Sequence, residues 1–179
     1  MRIIGGIHRG RQLKVPGGLP VRPTTDFAKE GLFNSLASRL DFEELEVLDL
    51  FSGTGHISLE FASRGSKRVT AVDEHARCVS FLRTSAEILQ LPVTTVKDDV
   101  FRFLKNCRTR YDLIFADPPY DLPNITQIHE LVFAGNLLLG GGLLVIEHGA
   151  DTRLQELDFF LQHRKYGNVN FSLFKAPEV

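Results

Sequence analysis

The sequence predicts an α/β fold: a mostly parallel sheet with an antiparallel C-terminal strand, helices on both faces and a small N-terminal β-hairpin arm. Three observations predict it. Strand-like apolar runs, EVLDLF, RVTAVD, DLIFAD and LLVIEH, recur from residue 46 and are separated by helix-length segments, as expected when strands are buried on both faces. Acids cluster at the carboxyl ends of these runs, where open α/β sheets bind ligands. The closing runs around HRKYGN and VNFSLFK are joined by a short connection near Gly167, too short for a parallel crossover.

Residues 1–23 read as the arm and residues 24–179 as the α/β domain. The arm is rich in glycine and proline, has β-compatible runs at RIIG and RQLKVP, and ends near Pro23. Thr24, Thr25 and Asp26 are helix N-cap candidates. Phe27, Phe33, Leu36, Ala37 and Leu40 then fall near helical spacing, predicting an amphipathic helix to about residue 40. Gly31 inside it costs about 1 kcal/mol relative to alanine, which points to a close backbone approach. EVLDLF precedes a helix over 55–64, RVTAVD one over 75–90, and PVTTVK a short one over 99–107. DLIFAD precedes a helix starting near 124, and LLVIEH another near 151.

With 179 residues, 43% of them hydrophobic, the chain can form one globular domain with a substantial core, expected to act as a monomer. MRIIGG lacks an apolar run of signal-peptide length, and no stretch approaches the ~18 apolar residues of a membrane span, so a cytoplasmic location is expected. Cys78 and Cys107 form no CxxC pair and the six histidines lack ligand spacing; no metal is expected. The net charge of −1 conceals an asymmetry. Residues 1–24 hold Arg2, Arg9, Arg11, Lys14 and Arg22 and no acid, leaving sixteen basic against twenty-two acidic residues elsewhere. A basic end on an acidic body suggests a polyanion contacted from one side, although a solvated hairpin would carry the same charges.

The first strand has Asp49 just before FSGTG, the second ends in Asp73, the third is followed by Asp98 and Asp99, and the fourth ends in Asp117. Gly53 and Gly55 allow a ligand close to backbone, and Asp73 can accept from both hydroxyls of a ribose. That much fits NAD as well, but Ser58 replaces the third glycine of the dinucleotide fingerprint. Asp49 would repel a pyrophosphate and attract an ammonium or sulfonium. Opposite charges at ~4 Å are worth about 4 kcal/mol at an effective dielectric of 20, so the sign of the ligand discriminates. S-Adenosylmethionine has the parts required: an amino-acid head for the glycine turn and Asp49, a ribose for Asp73, and an adenine for the edge near Asp99 and Val100. His56, at a helix start beside Gly55, is placed to touch the cofactor, but reads first as packed or solvated.

After Asp117 the chain reads DPPY. Pro118 and Pro119 have no N–H, so this turn accepts hydrogen bonds without donating them. An exocyclic amine, with two N–H donors, fits between the Asp117 carboxylate and a carbonyl such as that of Pro118, with Tyr120 as a flat face for the ring. Such an amine is a poor nucleophile, and two in-plane acceptors orient it and stabilise the charge that develops as it attacks a methyl group. Adenine-N6 methylation of DNA or RNA uses the same acceptor geometry and is the alternative reading.

DLFSGTGHISLE followed by FADPPY resembles the Rossmann-like S-adenosylmethionine-dependent amino-methyltransferases. RIIGGIHRGRQL and RPTTDFAKEGLFN narrow this: over nearly its whole length the chain resembles the RsmD family, bacterial methyltransferases of a guanine N2 in 16S ribosomal RNA. The resemblance implies that Asp117, Pro118, Pro119 and Tyr120 form the catalytic turn. It implies that Asp49, Phe51, Ser52, Gly53, Gly55, Asp73, Asp99, Val100 and Asp117 surround the cofactor, and that Arg22 and Thr24 lie near the target pocket. It also implies a preference for an assembled or assembling small subunit. The target base must leave its stack, while Arg2, Arg9, Arg11 and Arg22 are candidates to hold RNA phosphates. Asp73 stands where the family often has glutamate, and Lys29 where it often has arginine; His56 and Ser58 replace smaller residues of the glycine turn.

Overall fold

The computed structural model describes residues 1–22 and 24–178. Strands β1 (Glu46–Leu50), β2 (Arg68–Asp73), β3 (Val93–Lys97), β4 (Tyr111–Ala116), β5 (Leu138–His148), β6 (Phe160–Tyr166) and β7 (Val169–Lys175) form one sheet in the order β3-β2-β1-β4-β5-β7-β6. The pairs from β3 to β5 are parallel, while β7 runs antiparallel to both β5 and β6. This is the predicted architecture. β1 and β4 lie centrally and carry mostly buried side chains.

Helices α1 (Asp26–Ala37), α2 (His56–Ser63), α3 (Ala76–Leu89), α4 (Val100–Asn106) and α5 (Thr126–Ala134) surround the sheet. Two apolar clusters form the core, one containing Phe33, Phe61, Phe115 and Phe171, the other Leu48, Ile114, Ile128 and Phe174. Burial of each such aliphatic or aromatic side chain contributes about 1.5–3 kcal/mol. Among the described residues, no helix is long and apolar enough to cross a membrane.

The first helix starts where its chemistry dictates. Thr25 Oγ1 accepts from the Ala28 N–H at 3.1 Å, and Asp26 follows in the first turn. It ends at Ala37, three residues earlier than expected. Its buried stripe is Ala28, Lys29, Leu32, Phe33 and Leu36, whereas Phe27 is 66% exposed; six residues apart, Phe27 and Phe33 sit about 120° from each other around the axis. Gly31 does permit a close approach. A Cβ there would collide with the Tyr166 ring, whose hydroxyl donates to the Gly31 carbonyl at 2.9 Å.

The helix expected near residue 151 is absent: residues 150–159 run as turns into β6. The physical reason is topological. β6 lies at the sheet edge beyond β7, so the connection from β5 must stride across a strand, about 10 Å of lateral travel. Leu154 is tucked into the core on the way, and Phe159 takes a left-handed φ of 67° before β6 begins.

The N-terminal segment folds back as the expected hairpin, with one bridge between Arg2 and Gln12. It is not free-standing. Ile3 is buried in the core, the Ile7 N–H donates to the Ser63 carbonyl at 2.8 Å, and the Ser63 hydroxyl donates to the Gly5 carbonyl at 2.7 Å. Beneath it lies a buried ionic cluster: Glu60 accepts from the Ile4 N–H at 3.1 Å and Arg64 Nε at 3.0 Å, and lies 3.4 Å from Lys29 Nζ. Lys29 in turn donates to the Arg2 carbonyl at 2.5 Å. The expected end of the arm at Pro23 lies outside the described residues.

Candidate active site

At the carboxyl ends of β1, β2 and β4 opens a cleft of about 1360 Å³. The parallel register explains the convergence: Asp49 pairs with Ala71 and Phe115, so the segments after all three strands emerge side by side. Asp49, Phe51, Ser52, Gly53, Asp73, Asp99, Val100, Asp117, Pro118, Pro119 and Tyr120 line it, joined by Arg2, Arg22 and Thr24 from the N-terminal side. Gly55 lies behind this wall. Arg9 and Arg11 are exposed outside the cleft on the hairpin. Asp98 also turns away, to Arg102 at 2.5 Å.

The glycine turn is held by the acid twenty residues on. The Gly53 N–H donates to Asp73 Oδ2 at 2.8 Å, and the His75 N–H donates to Asp73 Oδ1 at 2.8 Å. Each carboxylate oxygen keeps a lone pair directed elsewhere. Gly55 has a φ of 88° and caps α2; a Cβ there would collide with the Leu82 side chain. Phe51 adopts a left-handed φ of 58° without being glycine, a conformation that costs about 1–3 kcal/mol and concentrates at ligand sites. Asp99 caps α4 by accepting from the Arg102 N–H at 2.9 Å.

Asp49 is 1% exposed, deeper than a residue simply flanking the turn. Ser58, the residue in place of the third glycine, donates its hydroxyl to Asp49 Oδ2 at 2.5 Å. Burial dominates nonetheless and pushes the Asp49 carboxyl up to about 7, against the opposing effect of the Ser58 bond. His56 is half-buried, with Nε2 at 3.2 Å from the Thr24 hydroxyl. Burial first, then Lys29 and Arg22, push its imidazole down to about 3, so it is neutral.

The Asp117 turn holds the greatest concentration of charge. The Asp117 N–H donates to the Leu50 carbonyl at 3.2 Å, which fixes the turn against β1. The Pro119 carbonyl accepts from the Leu122 N–H at 3.0 Å, while that of Pro118 accepts no hydrogen bond among the described residues. Arg22 Nη2 donates to Asp117 Oδ1 at 2.8 Å and to Glu147 Oε1 at 3.0 Å, and its guanidinium carbon lies 3.7 Å from the centre of the Tyr120 ring. Desolvation, then repulsion from Glu147, raise the Asp117 carboxyl well above the usual range; Arg22 opposes this. Desolvation likewise raises Glu147.

Glu147 is the functional candidate that sequence reasoning missed. It is the last residue but one of β5, in LLVIEH, and the rule that selected the other strand-end acids applies to it equally. The role of Ser58 had no such signal, since a serine one turn into a helix is ordinary. Among the described residues, no group of three or more His, Cys, Asp or Glu is placed to hold a metal ion.

The model of the family described as conserved hypothetical protein 95 matches residues 1–175. The chain belongs to that family. Ribosomal RNA small subunit methyltransferase D of Escherichia coli strain K12 is 30% identical over 98% of this chain and 89% of its own length. The protein of the same name from Haemophilus influenzae is 30% identical over 98% and 93%. These are RsmD proteins, so the resemblance carried by RIIGGIHRGRQL and RPTTDFAKEGLFN is borne out. A hypothetical protein of Thermus thermophilus superposes with a TM-score of 0.84 at 30% identity, covering 100% of this chain and 99% of that one. A 16S rRNA N2-guanine methyltransferase from the same organism, solved with AdoMet and guanosine, shares the fold at a TM-score of 0.72 and 24% identity, over 89% of this chain and 45% of that one.

Proposed function

We propose that this chain transfers a methyl group from S-adenosylmethionine to the N2 amine of a guanine in 16S ribosomal RNA. The observation that carries the reading is the single cleft in which the donor-poor Asp117–Tyr120 turn faces the glycine turn, in a family whose relatives are named small-subunit rRNA methyltransferases. Incubating the protein with methyl-labelled cofactor and unmodified small subunits, followed by nucleoside mass spectrometry, should yield N2-methylguanosine. N6-methyladenosine as the product would replace this reading with the adenine one.

The residues present fit the cofactor. The Gly53–Gly55 turn and Asp49 would hold its amino-acid head, Asp73 the ribose through its two remaining lone pairs, and Asp99 and Val100 the adenine edge. When bound, S-adenosylmethionine supplies a methyl carbon on a sulfonium, to which the base nitrogen gives its lone pair while the S–C electrons return to sulfur. Asp117 and the Pro118 carbonyl hold the two N–H bonds of the amine, orienting the lone pair and stabilising the positive charge that develops. Asp117 Oδ1 is also suited to take the departing proton, because burial and Glu147 raise its basicity. Tyr120 supplies the stacking face.

Cofactor affinity should depend on pH through Asp49. With its carboxyl pushed up to about 7, Asp49 is largely neutral in the free protein below that pH and must lose a proton to pair with the cofactor's ammonium. Binding should therefore weaken by roughly tenfold per pH unit below 7 and level off above it. Calorimetry from pH 5.5 to 8 measures this, and Asp49→Asn should flatten the profile.

The basic hairpin would hold RNA phosphates. Arg9 and Arg11 are exposed and free of ion pairs among the described residues, whereas Arg2 pairs with Asp26 at 2.7 Å. Replacing Arg9 and Arg11 with alanine should weaken RNA binding and lower the slope of log K against log[salt] by about 1.4–1.8, with cofactor affinity unchanged. An unaltered slope would remove the hairpin from the RNA surface. On this reading the protein works as a cytoplasmic monomer on the assembled or assembling small subunit.

A further inference from the structure

Near the end of β5 lies a carboxylate that the mechanism above uses only through its effect on Asp117 and gives no contact with the base. Glu147 is 1% exposed; its Oε1 accepts from Arg22 at 3.0 Å and from the Tyr120 hydroxyl at 3.2 Å. Its Oε2 has no hydrogen-bond partner among the described residues. A buried, unsatisfied carboxylate oxygen is unfavourable for folding and calls for an explanation; beside a cleft, an arriving ligand donor is one that fits. The carboxylate is also within reach of the catalytic turn, since one nitrogen of Arg22 bonds both Glu147 and Asp117.

Arg22 displays the form of the ligand this arrangement accepts. Its flat guanidinium stacks on Tyr120, 3.7 Å from the ring centre, with its donors directed at two carboxylates. Guanine carries the same fragment in its Watson–Crick edge: N1–H and the C2 amine are adjacent, in plane and both donors. Adenine offers an amine beside an unprotonated N1, whose lone pair would face the Glu147 carboxylate. Resting on the guanine-N2 reading above, we propose that Glu147 is a specificity-determining residue that accepts the N1–H of the target guanine, and that Arg22 occupies the base position until the guanine displaces it.

In this arrangement Asp117 and the Pro118 carbonyl take the two amine hydrogens, and Glu147 takes the third donor of the edge. The side chain of Arg22 is 42% exposed and enters from a segment outside the sheet, so it can swing away toward RNA phosphate and uncover Glu147. An adenine in the same place would leave the carboxylate opposite another acceptor.

The test uses small subunits reconstituted with 16S RNA carrying either guanine or 2-aminopurine at the methylated position. 2-Aminopurine keeps the amine at C2 but has an unprotonated N1. The wild-type protein should prefer guanine by about 10- to 100-fold in kcat/KM, the range of one well-placed base contact. In Glu147→Gln the side-chain amide can accept from guanine or donate to 2-aminopurine, so the preference should fall at least tenfold. Cofactor affinity, read in parallel, should be unchanged within error, and thermal melting checks that the variant is folded. An equal loss on both bases, or an unchanged preference, overturns the assignment of Glu147 while leaving the guanine-N2 reading intact. Failure of the wild-type protein to form any N2-methylguanine overturns both.

Discussion

Asp117→Ala is expected to reduce methyl transfer by about 10³-fold or more while the protein stays folded. Its side chain is only 15% exposed, so its carboxylate lies in a site poor in water, where one lost group at a developing charge is worth about 10²–10³ in kcat, and the proposed loss of the proton acceptor adds to that. The loss should fall on kcat, because in the proposed site the cofactor would be held chiefly by the glycine turn, Asp49 and Asp73. Folding should not suffer, and the sign follows from linkage. Desolvation and Glu147 raise the Asp117 carboxyl well above its ordinary value, so its contribution to stability is complete below the unfolded value near pH 4 and is lost as pH rises through the folded one. Removing the carboxyl at pH 7 removes an ionisation that opposes folding, and Arg22 keeps Glu147 as a partner. The melting temperature of Asp117→Ala should match or exceed that of the wild type at neutral pH. Single-turnover transfer and thermal melting measure both, and near-normal turnover would refute the role of the turn.

Glu60→Ala should have the largest effect on stability. Glu60 is fully buried and meets Lys29, Arg64 and the Ile4 N–H, while Lys29 is 3% exposed. Cutting one side of a buried ion pair strands the other charge, a loss of about 3–5 kcal/mol. That is a large part of the 5–15 kcal/mol typical of a folded domain, and corresponds to a fall in melting temperature on the order of 10 °C. Burial already lowers the Lys29 ammonium against the pull of Glu60. Glu60→Gln, which keeps an acceptor for Ile4 but not the charge, should retain most of the defect, and Glu60→Ala with Lys29→Met should recover part of it. Urea unfolding of the three variants distinguishes these outcomes. A loss below about 1 kcal/mol in Glu60→Ala would mean that Lys29 is neutral in the folded protein. The consequence reaches the site, because the same cluster anchors the backbone at Ile4 and Arg2, and Arg2 borders the cleft.

The sheet was legible because its central strands announce themselves. β1 and β4 are mostly buried, so they are largely apolar, and the acids at their carboxyl ends, Asp49 and Asp117, stand out. The segment after β5 was not legible. Leu154 and Leu157 are spaced as a helix would space them, but the crossing to the edge strand draws that segment into turns. Phe27 misled for a related reason: helical spacing from Phe33 to Leu36 says which residues share a face, whereas burial depends on which face meets the sheet.

The sequence by itself determined the α/β class, the antiparallel closing strand, the glycine turn with Asp73, and the acceptor-only turn after Asp117. Each rests on local chemistry: a glycine's conformational freedom, a proline's missing N–H, or the length of a connection. Only the tertiary structure decided that Ser58 bonds Asp49, that Lys29 and Glu60 lock the hairpin to the domain, and that Glu147 and Arg22 meet at Tyr120. Arg22 and Glu147 are 125 residues apart and contribute nothing recognisable to each other's local sequence. A hydrogen bond or an ionisation depends on distance and desolvation, and for residues so separated the fold alone sets both.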